Sequence, residues 1–225
     1  VMLDLLEVQK NFILTHLRPG DVAVDYTMGR GHDTEFLSKT VGKDGKVYAF
    51  DIQLDALNSS ARNLENAGCA PNYTLFCASH HRVKEFVHEK VRAGMFNLGY
   101  LPGSDRKVTT MHETTLAAID SAIEIMDKDA IILIAIYPGH AEGELEGRLV
   151  GEKLSKLDLH CRLLPDDEFA DQPVFLYCRG SLMQSFLNLI DKATGRQIRL
   201  AELGFRAGSP SFSDGGITFT RNGDM

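Results

Sequence analysis

No CxxC pair occurs among the four cysteines, Cys69, Cys77, Cys161 and Cys178. A dispersed set of this kind supports neither a zinc ribbon nor a disulfide framework, and it reads as reduced thiols in a cytoplasmic protein. The eight histidines show no metal-ligand spacing, because "SHHRV" and "VHEKV" lack the HExxH pair and any supporting cysteines; no metal is expected. Long apolar runs are missing as well. The longest, "AIILIAIY" from Ala130 to Tyr137, is far shorter than the roughly 20 residues needed to cross a bilayer. No segment reads as a secretory leader. Positive charge is in deficit, with 24 Lys and Arg against 31 Asp and Glu and a formal net charge of -7. The whole chain therefore has no basic field to gather nucleic acid, and such a partner has to be held by a local patch.

What is present is an ordinary globular composition, 44% hydrophobic, over 225 residues, a length that suits one domain or one domain with an appendage. Helical spacing over 5–17 stops at "RPGD". From there apolar runs alternate with helical patterns. Strands are expected at 22–27, 46–53, 73–81, 94–103 and 130–140. Helices are expected at 33–42, with Asp33 or Thr34 as N-cap, at 54–68, closed by Gly68, and at 82–94, 109–126 and 144–157. Two further strands, 157–164 and 173–180, flank the acidic loop "PDDEFADQ" with no helix between them. Strict alternation predicts an α/β fold with a mostly parallel sheet covered by helices on both faces, and the last two strands predict an antiparallel edge hairpin. That is the Rossmann-like, seven-stranded pattern of class I methyltransferases. Residues 1–180 are expected to form that domain. Residues 181–225 break the pattern and form a C-terminal extension, within which "SFLNLIDKATGRQIRLAELGF" suits a helix or a hairpin turning at "KATG".

The segment "VAVDYTMGRGHDTEFLSK", Val22 to Lys39, joins an apolar strand to a helix through a glycine turn. A phosphate-binding P-loop needs a GK[ST] ending, but His32 follows Gly31. A dinucleotide fingerprint needs a third glycine where Thr34 stands, and Asp33 places a carboxylate where a pyrophosphate would sit. S-adenosyl-L-methionine (SAM) reverses that logic. It is cationic and carries no phosphate, so Asp25 and Asp33 attract it, and Gly29 and Gly31 let the backbone come close. Asp51, about 20 residues past the turn, stands where an acid takes ribose hydroxyls.

"DYTMGRGHDTEFL", "DIQLDAL", "FNLGYLPGSDRKVTT" and "YPGHAEGELE" closely resemble, in order and spacing, a family of bacterial class I SAM-dependent methyltransferases long called rRNA methylases. Its members methylate the aminomethyl group on the wobble uridine of tRNA. The resemblance runs from about Leu3 to Gly180. It departs where Tyr26, Met28 and Arg30 replace the family's small residues and its Asn between the glycines. It implies that Gly29, Gly31, His32 and Asp33 surround the methionine part of the cofactor. Asp51 and Gln53 would reach ribose and adenine, and Ser79 and His80 would flank the adenine. "NLGYLPG" is similar to the NPPY-type loop of amino methyltransferases. An attacking amine must be neutral with its lone pair aimed at the methyl carbon, and Asn97 can hold its N–H groups. Tyr100 would stack on the base, and His140 in "YPGH" would bind a tRNA phosphate or accept the amine proton.

Other readings share this scaffold. The acceptor is a tRNA, an rRNA or a small amine, or the chain is an inactive SAM fold that binds RNA or a partner. Arg106 and Lys107 beside the acceptor loop suit phosphate contact, whereas Arg82, Lys84, Lys90 and Arg92 read as a solvated face. A homodimer would give tRNA a broader platform.

Overall fold

The computed structural model describes residues 10, 12–14, 16–101, 108–136 and 141–154, and strands between 174 and 218. Tyr137, His140, Arg106, Lys107 and the strand expected over 157–164 lie outside the described residues. In chain order the elements are β1 (Val22–Asp25), α1 (His32–Val41), β2 (Lys46–Asp51), α2 (Leu54–Asn66) and β3 (Tyr73–Cys77). A 3-10 turn (His80–Arg82) and the one-turn α3 (Val83–Phe86) lead to β4 (Val91–Leu98), α4 (His112–Ile125), β5 (Met126–Ile136) and α5 (Ala141–Leu154). The strands β6 (Val174–Ser181), β7 (Gln184–Asp191) and β8 (Arg196–Arg199) follow, and then a separate antiparallel pair, β9 (Ser211–Ser213) and β10 (Gly216–Thr218).

One sheet runs β3-β2-β1-β4-β5-β6-β7-β8, parallel from β3 through β6 and antiparallel at β7 and β8. The strand order reverses between β1 and β4, which opens a crevice at their carboxyl ends. The central strands are apolar on both faces because helices cover both. In β5, Ala130 through Ile136 are each at most 2% exposed. Alternate residues enter two clusters: Val24, Phe96 and Ile132 pack with Ile119 and Val150, while Ala23, Met95 and Ile131 pack with Leu37, Val41 and Ile13. Among the described residues no helix is long and apolar enough to cross a membrane.

Three expectations are corrected. The helix expected over 82–94 ends at Phe86, and β4 starts at Val91. Val83 and Val87 have helical spacing, but Val91, Ala93 and Met95 fall on a period of two and pair with β5. Gly94 fits this strand because a Cβ there would come within 2.9 Å of the Tyr26 ring. β5 likewise begins at Met126, earlier than expected, in register with Val91. Finally, the strand after Pro173 lies parallel to β5, from Ile131↔Val174 to Ile136↔Arg179, because α5 precedes it as a crossover. The antiparallel edge is made by β7 on β6 and β8 on β7, from Asn188↔Arg199 to Asp191↔Arg196, and the "KATG" between these two strands lies outside the described residues. The mostly parallel sheet with an antiparallel edge therefore stands, and it has eight strands among the described residues.

Candidate active site

The ends of β1, β2 and β4 and the start of α1 meet at the crevice. Asp25 is fully buried, and both of its oxygens are used within the loop. Oδ1 accepts the Thr27 N–H at 3.1 Å and Oδ2 accepts the Thr34 hydroxyl at 2.7 Å. Burial pushes the Asp25 carboxyl up to about 7, and the neighbouring Asp33 charge adds to the rise. Asp33 is raised as well, chiefly by burial, with Lys10, His32 and a hydrogen bond from Asn97 acting against it.

Past β1 the backbone keeps contact with the sheet, since the Tyr26 and Met28 N–H groups donate to Met95 O and Phe50 O, both at 2.9 Å. It then turns through Gly29 and Gly31, with φ of 52° and 82°, the left-handed region that glycine enters without strain. Gly31 is the N-cap of α1, without a side-chain cap. The capping expected of Asp33 or Thr34 is absent because the helix starts at His32 and both lie inside its first turn, where Thr34 donates to Asp25 and Asp33 accepts from Asn97. Gly31 has a second reason to be small: a Cβ there would lie 2.9 Å from Ser60 Cβ and Oγ in α2. Its missing side chain is thus used in packing α1 against α2.

At the end of β2, Asp51 accepts the Gly29 N–H on Oδ2 at 3.0 Å and the Gln53 N–H on Oδ1 at 2.9 Å. Partial burial raises its pKa, while these N–H groups lower it. The exposed Ile52 and Leu54 border it. His32 is exposed and lines an open groove of about 460 Å³ with Lys10, Leu14 and Phe36. Arg30 is exposed.

At the end of β4, the Asn97 N–H donates to Thr27 Oγ1 at 2.6 Å, and its side-chain Nδ2 donates to Asp33 Oδ2. Asn97 Oδ1 is buried with no partner among the described residues. Tyr100 follows, 38% exposed and bridged to Thr109. The buried Glu146 of α5 accepts the Thr110 and Thr115 hydroxyls at 2.8 and 2.6 Å, which ties the returning loop to α4. Beside it Glu142 accepts the His112 backbone N–H at 2.8 Å and sits 2.8 Å from His112 Nδ1, capping α4 and raising the His112 pKa.

His80 is buried beneath the glycine loop, its Nδ1 3.0 Å from Tyr26 O. A carbonyl only accepts, so Nδ1 carries the proton, and Nε2 is left buried with no partner among the described residues. Burial pushes its pKa down to about 4, so the ring is neutral at pH 7. Ser79 Oγ lies 2.8 Å from His81 Nδ1. The basic residues read as a solvated face do pair locally: Arg82 with Glu85 at 2.6 Å, Arg92 with Asp127 at 3.0 Å, and Lys84 with Glu124.

The structure thus brings together Asp25, Gly29, Gly31, Asp33, Asp51, Gln53 and Asn97, and sets His32 apart on the groove. Sequence reading missed Thr27 and Glu146, polar residues that span elements, and the bond from Thr34 to Asp25. It also missed that Tyr26 is core: its ring stacks on Phe96 at 4.0 Å over the space Gly94 leaves.

Acidic groups round a glycine turn, with an unpartnered buried acceptor opposite, suit a cationic ligand without phosphate. With the sheet order, they define a class I SAM-dependent methyltransferase fold, whose cofactor is S-adenosyl-L-methionine. Residues 47–172, more than half of the chain, match the family described as "Putative rRNA methylase", and the chain belongs to that family. A solved structure described as a "putative rRNA-methylase" from Clostridium thermocellum is 34% identical, with a TM-score of 0.68 over 70% of this chain and 84% of that one. A Streptococcus mutans methyltransferase in complex with SAH is 31% identical, with a TM-score of 0.58 over the same shares, 70% and 84%. A chloroplastic tRNA (mnm(5)s(2)U34)-methyltransferase of Arabidopsis thaliana is 37% identical over 144 residues, 60% of this chain and 53% of that protein. The chain spans about half the length of the curated relatives it matches.

Proposed function

We propose that this chain is a SAM-dependent methyltransferase that N-methylates the 5-aminomethyl group of the tRNA wobble uridine. Family membership and the name of the Arabidopsis relative support the class and the substrate. The observation that carries the amine chemistry is Asn97, whose buried Oδ1 at the end of β4 has no partner among the described residues. A buried acceptor without a partner at the strand end that borders the crevice suits a ligand that brings an N–H. When bound, the cofactor supplies an electrophilic methyl group on a sulfonium. Asp51, already fixed by the Gly29 and Gln53 N–H groups, takes ribose hydroxyls, and Gln53, Ser79 and His80 line the adenine side. Gly29, Gly31, Asp33 and Asp25 form the negative, close-approaching wall for the methionine part, and His32 approaches it from the adjoining groove. Asn97 Oδ1 accepts an N–H of the neutral amine and so turns its lone pair toward the methyl carbon. Tyr100 stacks on the base at the crevice mouth. His140, assigned from the "YPGH" pattern alone, takes up the amine proton or a phosphate.

The test is methyl transfer from labelled SAM to tRNA from cells lacking this activity, read by nucleoside mass spectrometry. Conversion of aminomethyluridine to methylaminomethyluridine, lost on Asn97→Ala, is the expected result. SAM binding without conversion would redirect the assignment to rRNA or a small amine. Loss of both would leave an inactive fold.

A further inference from the structure

We infer that Asp33 is a positioning residue for Asn97: its carboxylate holds the amide NH2 and thereby presents the amide oxygen to the substrate amine. This rests on the amine-methyltransferase reading above. An asparagine amide has two ends of nearly equal shape and opposite polarity, so packing alone does not choose between them. The choice decides the chemistry. With the oxygen toward the substrate, the amine N–H is held and its lone pair stays free. With the NH2 toward the substrate, the amide would donate into that lone pair and block attack.

The backbone at Asn97 is already fixed by the 2.6 Å hydrogen bond to Thr27 Oγ1, and Thr27 is held in turn by Asp25 at 3.1 Å. Rotation of the amide is the freedom that remains. Asp33, in the first turn of α1, removes it, because its Oδ2 accepts the hydrogen bond and only the NH2 end of the amide can donate it. Oδ1 then lies on the other side of the amide, where it is buried and unpartnered. Residues 33 and 97 belong to the cofactor loop and to the acceptor strand, so this contact ties the two half-sites together. It gives Asp33 a task separate from attraction of the cofactor's positive charge.

The experiment uses the full chain and compares wild type, Asp33→Ala, Asn97→Asp and the swapped pair Asp33→Asn with Asn97→Asp. In Asn97→Asp two carboxylates face each other, and methyl transfer falls sharply. In the swapped pair the amide now at position 33 donates its NH2 to the carboxylate now at position 97 and leaves one carboxylate oxygen free. There kcat at saturating SAM recovers about tenfold or more over Asn97→Asp, as expected for a charge-assisted hydrogen bond regained. Asp33→Ala lowers kcat by a similar factor at saturating SAM. The proposal is overturned if the swapped pair is no better than Asn97→Asp, or if Asp33→Ala changes only the dissociation constant for SAM. A second readout needs no turnover: the Asn97 side-chain NH2 resonances of the protein without cofactor shift, and their exchange with water speeds, on Asp33→Ala. Unchanged resonances overturn the orientation. Shifted resonances in a chain that methylates no amine overturn the functional reading instead.

Discussion

At the scale of single residues the site is governed by buried acids. Asp25 titrates near 7 against an ordinary value of 3.8, because burial and then the Asp33 charge oppose its ionisation. Between those two values the folded chain keeps a proton that the unfolded chain has released. The unfolded state binds fewer protons there, so stability falls as pH rises from about 4 to 7, and the whole cost is present above 7. A cation placed against these groups reverses the preference and draws the proton off. SAM affinity is therefore expected to rise from pH 6 to 8 with proton release on binding, measured by calorimetry in buffers of different ionisation enthalpy. The groups that set the curve are Asp25, Asp33 and Asp51, with Lys10 and His32 acting on Asp33. Asp25→Asn is expected to flatten it. A wild-type affinity independent of pH would mean that the cation binds away from the pair.

At the scale of elements, the placement of α1 depends on Gly31. Gly31→Ala would combine a left-handed φ of 82° with a contact of 2.9 Å to Ser60 in α2. Gly20 is a matched control, with a φ of 91° and nothing within 4 Å of a Cβ. Gly20→Ala is expected to cost about 1–2 kcal/mol from backbone strain alone. Gly31→Ala adds overpacking, for about 2–5 kcal/mol in all, and weakens SAM binding because α1 must shift. Urea denaturation of both variants checks the difference, and equal costs would remove Ser60 from the account. The same loop explains what the sequence could say. The proximity of Gly29, Gly31, Asp33 and Asp51 is legible in the sequence because they lie in one strand-turn-helix unit and the next strand end. The runs "VAVD" and "AIILIAI" were readable because strands buried on both faces are continuously apolar. The contacts of Asn97 with Thr27 and Asp33 span 70 and 64 residues, and periodicity does not report which side chains meet across such distances. Glu146 was hidden for the same reason. The end of the helix at Phe86 was misread because spacing near 3.6 passes into a period of two within a few residues, and pairing with β5 decides the boundary.

At the scale of the molecule, charge and sheet edge pull in different directions. A chain of net charge -7 whose Arg82, Lys84 and Arg92 are already paired with acids offers a polyanion little besides a local contact, and so for the tRNA acceptor proposed above the crevice would contribute much of the binding. That crevice sits at β1, β2 and β4, on the far side of β5 from β7 and β8. Among the described residues, both apolar clusters draw on the chain from Phe12 to Leu154. We propose accordingly that residues 1–180 fold as a unit and that 181–225 are an extension. A chain ended at Gly180 keeps both clusters, the glycine turn, Asp51 and Asn97, and loses the two antiparallel strands that cover β6. It is expected to unfold cooperatively on heating and to bind SAM within about threefold of the full chain, as for sites that share no partners with the change. The bared edge of β6 presents unpaired N–H and C=O groups, so the truncated chain is also expected to associate at high concentration where the full chain does not. Circular dichroism, calorimetry and light scattering read the three outcomes separately. A truncated chain without a cooperative transition would make β7 and β8 part of the fold itself, and the boundary at Gly180 would be wrong.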